Sequence, residues 1–122
     1  MSAKRGAVAE SLACTKLLAE GFDVCFPARG LNPHYDLVLV EYMEGRPYRL
    51  YTVQVKRAHK RVRNGKEYMR CNLVDSTGAT YQTDFISVVD VDSDQVWLIP
   101  SHKLGDQVTI QVSGGRYDEW LI

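Results

Sequence analysis

Three side chains of complementary chemistry lie at short, regular spacing in this 122-residue chain: Asp36 in Tyr-Asp-Leu-Val, and Gln54 and Lys56 in Val-Gln-Val-Lys. A carboxylate and a carboxamide oxygen are hard donors, and Mg²⁺ is commonly held by one or two carboxylates while keeping several waters. An ammonium two residues on is placed to orient a water, to help deprotonate it, and to offset negative charge that builds during reaction. A further carboxylate, Glu10, sits in an alanine- and leucine-rich stretch near the N-terminus. Taken singly, each has a plainer reading: Gln-x-Lys as a solvated strand face, Asp as strand-start turn chemistry, Glu as helix surface. Their order and the elements that carry them make the case.

Those elements are legible in outline. Over residues 4–20 apolar residues recur at helical spacing, offering Val8, Leu12 and the Leu17/Leu18 pair to a core, with Gly21 as the C-cap. A short strand over 22–26 ends at Pro27, and 28–34, with Gly30 and Asn32-Pro33, reads as a turn-rich connection. Residues 35–42 form a nearly continuous apolar run suited to a strand covered on both faces, 43–47 a turn, and 48–56 a second strand. If this hairpin turns about Gly45, opposed residues have numbers adding up to 90, and Asp36 lies across from Gln54. Opposed residues share a face with Cβ atoms about 4.5–5.5 Å apart. Alternation adds Lys56 to that face and sends Val53 and Val55 to the other.

Beyond it, 67–73 reads as a strand, 76–82 as a loop, and 84–91 with 95–100 as a second hairpin joined at Asp92-Ser93-Asp94. Residues 108–112 fit an edge strand, and the tail 117–122 carries too many large apolar groups to stay exposed, so it docks on the domain or serves an oligomer interface. Trp97 reads as core and Trp120 as part of that docking surface, whereas Tyr51 and Tyr68 read as sheet aromatics or base-stacking groups. The sum is one α+β domain over 1–122, an N-terminal helix packed on a mixed, mainly antiparallel sheet.

Composition narrows the function classes. Apolar residues at 45% and charged residues at 25% match a folded globular chain rather than a disordered one. No apolar stretch has the length of a membrane span or a signal-peptide core, so a cytoplasmic protein without membrane partners is expected. Three widely spaced cysteines, Cys14, Cys25 and Cys71, fit reduced thiols rather than a disulfide framework or a zinc site. His34, His59 and His102 form no close pair. Fifteen basic and fifteen acidic residues cancel, but they are segregated: seven cations fall between Lys56 and Arg70 against the single acid Glu67, and five acids without a base between Asp75 and Asp94. Such polarity, rather than the sum, steers a polyanion. Asn64-Gly65 suggests a turn inside the basic stretch, hence a two-stranded basic ribbon able to enter a major groove. Its cations Arg57, Lys60, Arg61, Arg63, Lys66 and Arg70 are the candidate DNA contacts.

A helix with Gly6-Ala7-Val8-Ala9-Glu10, then Gly21-Phe22-Asp23-Val24, Tyr35-Asp36-Leu37-Val38 and Val53-Gln54-Val55-Lys56, resembles the PD-(D/E)xK nuclease superfamily. The nearer resemblance is to its Gln-x-Lys branch, which includes group I intron homing endonucleases, and the next is to archaeal Holliday-junction resolvases. The Asp84-Phe85-Ile86 to Leu98-Ile99-Pro100 hairpin also resembles the C-terminal part of that branch. The resemblance implies a restriction-endonuclease-like core and a Mg²⁺-dependent DNA endonuclease, with Mn²⁺ able to substitute. It implies Asp36, Gln54, the Val55 backbone carbonyl and Glu10 as metal ligands, and Lys56 as the water-directing group. The substrate would be duplex or branched DNA, and cutting two strands together calls for a homodimer or higher oligomer. Two departures stand out: Gln54 removes one negative charge from the metal site, and Pro33 lies three positions before Asp36 rather than beside it. Two other readings stay open at this level. One is a catalytically silent DNA-binding subunit of the same fold, favoured by Gln54; the other is a small interaction protein working through its tail.

Overall fold

The computed structural model describes residues 2–27, 35–75 and 77–122, with side chains from Gly6 onward. The expected 28–34 connection, including Pro33 and His34, and Ser76 lie outside the described residues. Helix α1 (Ser2–Ala19) ends as its glycine predicts. Gly21 takes φ +95°, its N–H reaches the Leu18 carbonyl at 3.0 Å, and the Phe22 N–H reaches Leu17 at 3.1 Å. This is a Schellman closure, which a residue with a Cβ would strain.

Strands β1 (Asp23–Cys25), β2 (Leu37–Met43), β3 (Arg46–Arg57), β6 (Phe85–Asp90) and β7 (Gln95–Pro100) form a five-stranded sheet in the order β1-β2-β3-β6-β7. All neighbours are antiparallel except β3 and β6. The β2–β3 register is the expected one: from Leu37–Val53 to Glu41–Arg49 paired numbers add up to 90. A bulge between Glu41 and Tyr42 takes up one residue before a two-residue turn at Glu44-Gly45, with φ of 53° and 76°. Two positive φ values in succession are what a type I′ hairpin turn requires.

The parallel β3–β6 pair demands a long crossover, and here the crossover is itself a sheet. Strands β4 (His59–Arg63) and β5 (Lys66–Asn72) form the foreseen basic ribbon, turning at Asn64-Gly65 with the same pair of φ values, 53° and 76°. Strand β8 (Thr109–Gln111) joins β5, so the expected late edge strand completes a separate three-stranded sheet rather than extending the first.

Two apolar layers result. On one face of the large sheet, Leu37, Leu39, Val53, Val55, Val89 and Val96 meet the helix. On the other, Ile86, Val88, Trp97 and Ile99 meet Cys71 and Ile110 of the small sheet. The tail docks rather than staying free: Tyr117 is buried in the second layer, and the Ile122 N–H donates to the Val96 carbonyl at 2.9 Å.

The helix phase differs from the sequence reading. Its contact stripe is Ala9, Ala13 and Leu17, while Val8 and Leu18 are 46% and 50% exposed. Two alanines let the helix lie close to the sheet, and this rotates the larger side chains off the contact line. Leu17→Ala is therefore expected to cost about 2–5 kcal/mol of stability. Leu18→Ala should stay within about 0.5 kcal/mol, and urea denaturation of the two variants checks the phase.

Candidate active site

The ladder between β2 and β3 stops at Leu37–Val53, and the geometry of the site follows from that stop. The Asp36 N–H turns to the Val53 carbonyl at 2.8 Å, and the carboxylate comes into the opening where the two strands part. There Asp36 Oδ2 accepts the Val55 backbone N–H at 2.8 Å and the Gln54 amide Nε2–H at 2.8 Å. In an antiparallel strand the N–H and C=O of one residue leave by the same edge. The Val55 carbonyl thus opens on the same side as its N–H, and the described residues of β2 do not take it into the ladder.

The predicted Asp36–Gln54 juxtaposition holds. Gln54 and Lys56 register with Ile86 and Val88, on the face turned to the small sheet, whereas Val53 and Val55 face the helix. Glu10, one residue beyond the buried Ala9, arrives from the helix side. It reaches Asp36 because the carboxylate stands at the sheet's open margin rather than on either face, and the two carboxyls share a hydrogen bond. Burial first, then the Asp36 charge and this hydrogen bond, raise the Glu10 pKa above its ordinary 4.5. Burial also raises the Asp36 carboxyl, against the opposing pull of the Val55 N–H, Glu10 and Lys56.

Two carboxyls held together with raised affinity for protons are a site short of positive charge. With Gln54 spending its NH₂ on Asp36, its carbonyl oxygen remains as an acceptor. Two carboxylates, an amide oxygen and the Val55 carbonyl, which no described residue of β2 takes into the ladder, make an all-oxygen donor set that fits a hard divalent cation. Among the described residues no three His, Cys, Asp or Glu side chains converge, so any such cation depends on the amide and the main chain for its remaining protein ligands.

Lys56 stands over the ring of Tyr81, its Nζ 5.1 Å from the centroid. Tyr81 packs against the second core layer, so it gives the ammonium a fixed seat. Sequence reasoning missed this residue, since nothing near Tyr81 marks it and only the crossover brings it under β3. The buried Cys71 thiol also feels Lys56, but burial dominates and pushes it up to about 12, which leaves it an unreactive core group. Asp84 steadies β3 just ahead of Gln54, accepting the Thr52 N–H at 2.8 Å and the Thr52 hydroxyl at 3.2 Å.

The six basic candidates separate. Arg57 registers with Val89 and so lies on the helix side of the sheet, with its Nε buried. Lys60 pairs with Glu67 at 3.7 Å. Strand alternation puts Arg61, Arg63, Lys66 and Arg70 together on the outer face of the small sheet, opposite the Met69 and Cys71 side.

The carboxyl pair yields a test with a definite sign. A raised carboxyl pKa stabilises the fold fully below the unfolded value of 4.5 and loses that contribution as pH rises through the folded value. Glu10→Gln keeps a donor for Asp36 without the charge. Without divalent cations it is expected to raise the melting temperature at neutral pH, with the gain gone below pH 4.5. Melting curves across pH in EDTA decide it, and an unchanged neutral value would show that the pair is not under charge strain.

The sequence matches the profile of the family described as PD-(D/E)XK endonuclease over residues 1–119. No curated protein matches it. Among solved structures it is similar to the bacterial homing endonuclease I-Ssp6803I, with a TM-score of 0.71 and 22% identity over 95% of this chain and 83% of that one. At that identity the likeness is one of fold: a single helix on a mixed, mainly antiparallel sheet, as in the restriction-endonuclease-like proteins. The family match spans the helix carboxylate, the strand aspartate and the Gln-x-Lys strand that the fold has drawn to one margin, and this chain belongs to the PD-(D/E)XK endonuclease family.

Proposed function

We propose that this protein is a divalent-cation-dependent DNA endonuclease that hydrolyses phosphodiester bonds. The observation that carries the reading is the meeting of Asp36, Gln54, the Val55 main chain and Glu10 at one sheet margin, with Lys56 on the same strand. Asp36, Gln54, the Val55 carbonyl and Glu10 would hold Mg²⁺, or Mn²⁺ in its place. Bound there, the ion supplies charge to the scissile phosphate and acidifies water.

The chain's own groups do the rest. Lys56 directs the attacking water and offsets charge on the phosphate as the bond to the leaving oxygen lengthens. Tyr81 holds the Lys56 ammonium in place, which favours a single approach of the water. Burial disfavours the ionised forms of Glu10 and Asp36, and a cation held between them would offset that penalty. Gln54, neutral where a carboxylate is usual, leaves the site one charge weaker. The likeness to a homing endonuclease supports a homing-type activity on duplex DNA over a junction-resolving one. Cutting both strands requires two copies of a domain with one site, hence a homodimer or larger assembly.

Supercoiled plasmid and a synthetic four-way junction, incubated with Mg²⁺, Mn²⁺ or EDTA, test the chemistry. Metal-dependent cutting is expected, with Asp36→Ala and Lys56→Ala each slower by about 100-fold or more. Salt-sensitive binding without cutting, on targets that include a sequence selected by the protein itself, would instead establish a silent DNA-binding subunit. Tyr81→Leu is expected to lower turnover with KM unchanged, and Tyr81→Phe, which keeps the ring face, to restore it. Equal losses in both variants would remove the ring from the account.

A further inference from the structure

The outer face of the small sheet bears a groove of about 930 Å³ that the active site does not use. Arg63, Lys66, Arg70 and Arg116 line it, with Glu67 as the one acid among its lining residues. The single ion pair among the described residues, Lys60–Glu67, engages none of these four cations. Four like charges around one groove, none in an ion pair among the described residues, repel one another, and a polyanion relieves that repulsion. Arg116 comes from outside the basic run of the sequence and joins it only through the fold.

The groove also holds hydrogen-bonding groups that a simple phosphate clamp does not need. Arg70 on β5 is directly opposed to Gln111 on β8, so the two side chains rise together from the sheet. Gln111 is held in one orientation: its Nε2–H donates to the Ser113 carbonyl at 3.1 Å. A Cβ on Gly114 would come within 3.3 Å of that nitrogen, so glycine keeps the space open. Gln111 is exposed, and none of the described residues engages its carbonyl oxygen. A guanidinium pairs with the O6 and N7 of guanine, and a carboxamide with the N6 and N7 of adenine. Beyond Arg70 the β4–β5 ribbon runs on without β8 and keeps the two-strand width that a major groove admits.

We propose that this outer face is the sequence-reading surface of the enzyme, with Arg70 and Gln111 contacting base edges in the major groove and Arg63, Lys66 and Arg116 holding the flanking phosphates. The proposal rests on the DNA-endonuclease reading and adds to it where and by which residues the duplex is read.

Selection of duplexes from a randomised pool in EDTA, where binding is separated from cutting, tests it with the full-length protein. The wild type is expected to enrich a consensus. Gln111→Ala and Arg70→Ala should each lose discrimination at one or two base pairs by about ten-fold, with binding to unrelated duplex retained for Gln111→Ala. Lys66→Ala should weaken all sequences alike and reduce the salt dependence by about one released ion. Uniform weakening in Gln111→Ala and Arg70→Ala, an unchanged consensus, or a wild type that enriches none would each overturn the assignment. Metal-dependent plasmid cutting by the wild type, measured alongside, shows whether the nuclease reading stands when the reading surface does not. A wild type that neither binds duplex nor cuts it would overturn both.

Discussion

One carboxylate oxygen, Asp36 Oδ2, joins the two halves of the site, and its position depends on a strand that ends early. Had β2 continued to pair with β3, the Val55 N–H and carbonyl would be consumed by the ladder and Asp36 would point to one face. Because the ladder stops at Leu37–Val53, the main chain of β3 is open where the carboxylate arrives. A group from the helix side and groups from the far face can then meet at one place. The hairpin register, the close alanine contact of the helix and the Asp84 clamp on Thr52 all serve that meeting.

The arrangement carries a cost that its chemistry explains. Two carboxyls forced together by helix and strand are destabilising when both are charged, and a fold selected for stability alone would place a neutral group at position 10. The same crowding on the outer sheet face, with opposite sign, sets several cations beside one another without an ion pair among the described residues. A chain of zero formal net charge thus keeps negative and positive strain in separate places, each suited to a ligand of the other sign.

Much of this is legible in the sequence. The β2–β3 register follows from a glycine in a turn and from strand alternation, and it brings Asp36 to Gln54 as expected. The basic ribbon follows from Asn64-Gly65. The helix phase does not follow, because hydrophobicity ranks Val8 and Leu18 above the alanines, while close packing prefers Ala9 and Ala13. Nor does the parallel β3–β6 pair, since the intervening ribbon reads locally as a chain of hairpins. Tyr81 and Arg116 owe their places to that crossover and to the docked tail, both long-range facts without a local signal. The Val55 N–H bond to Asp36 is invisible to side-chain periodicity, which says nothing about where a ladder stops.

The docked tail has a consequence for how copies of the chain can meet. Leu121 bridges to Trp97, and the Ile122 N–H bonds to Val96, along the outer margin of β7. A sheet margin is ordinarily a row of open donors and acceptors that invites another strand. Here its first half, at Val96 and Trp97, is already satisfied from within the same chain, so the five-stranded sheet is blunted against growth there. Contact between copies there would have to be made by side-chain shape and charge, which sequence can tune, rather than by backbone pairing, which accepts nearly any strand.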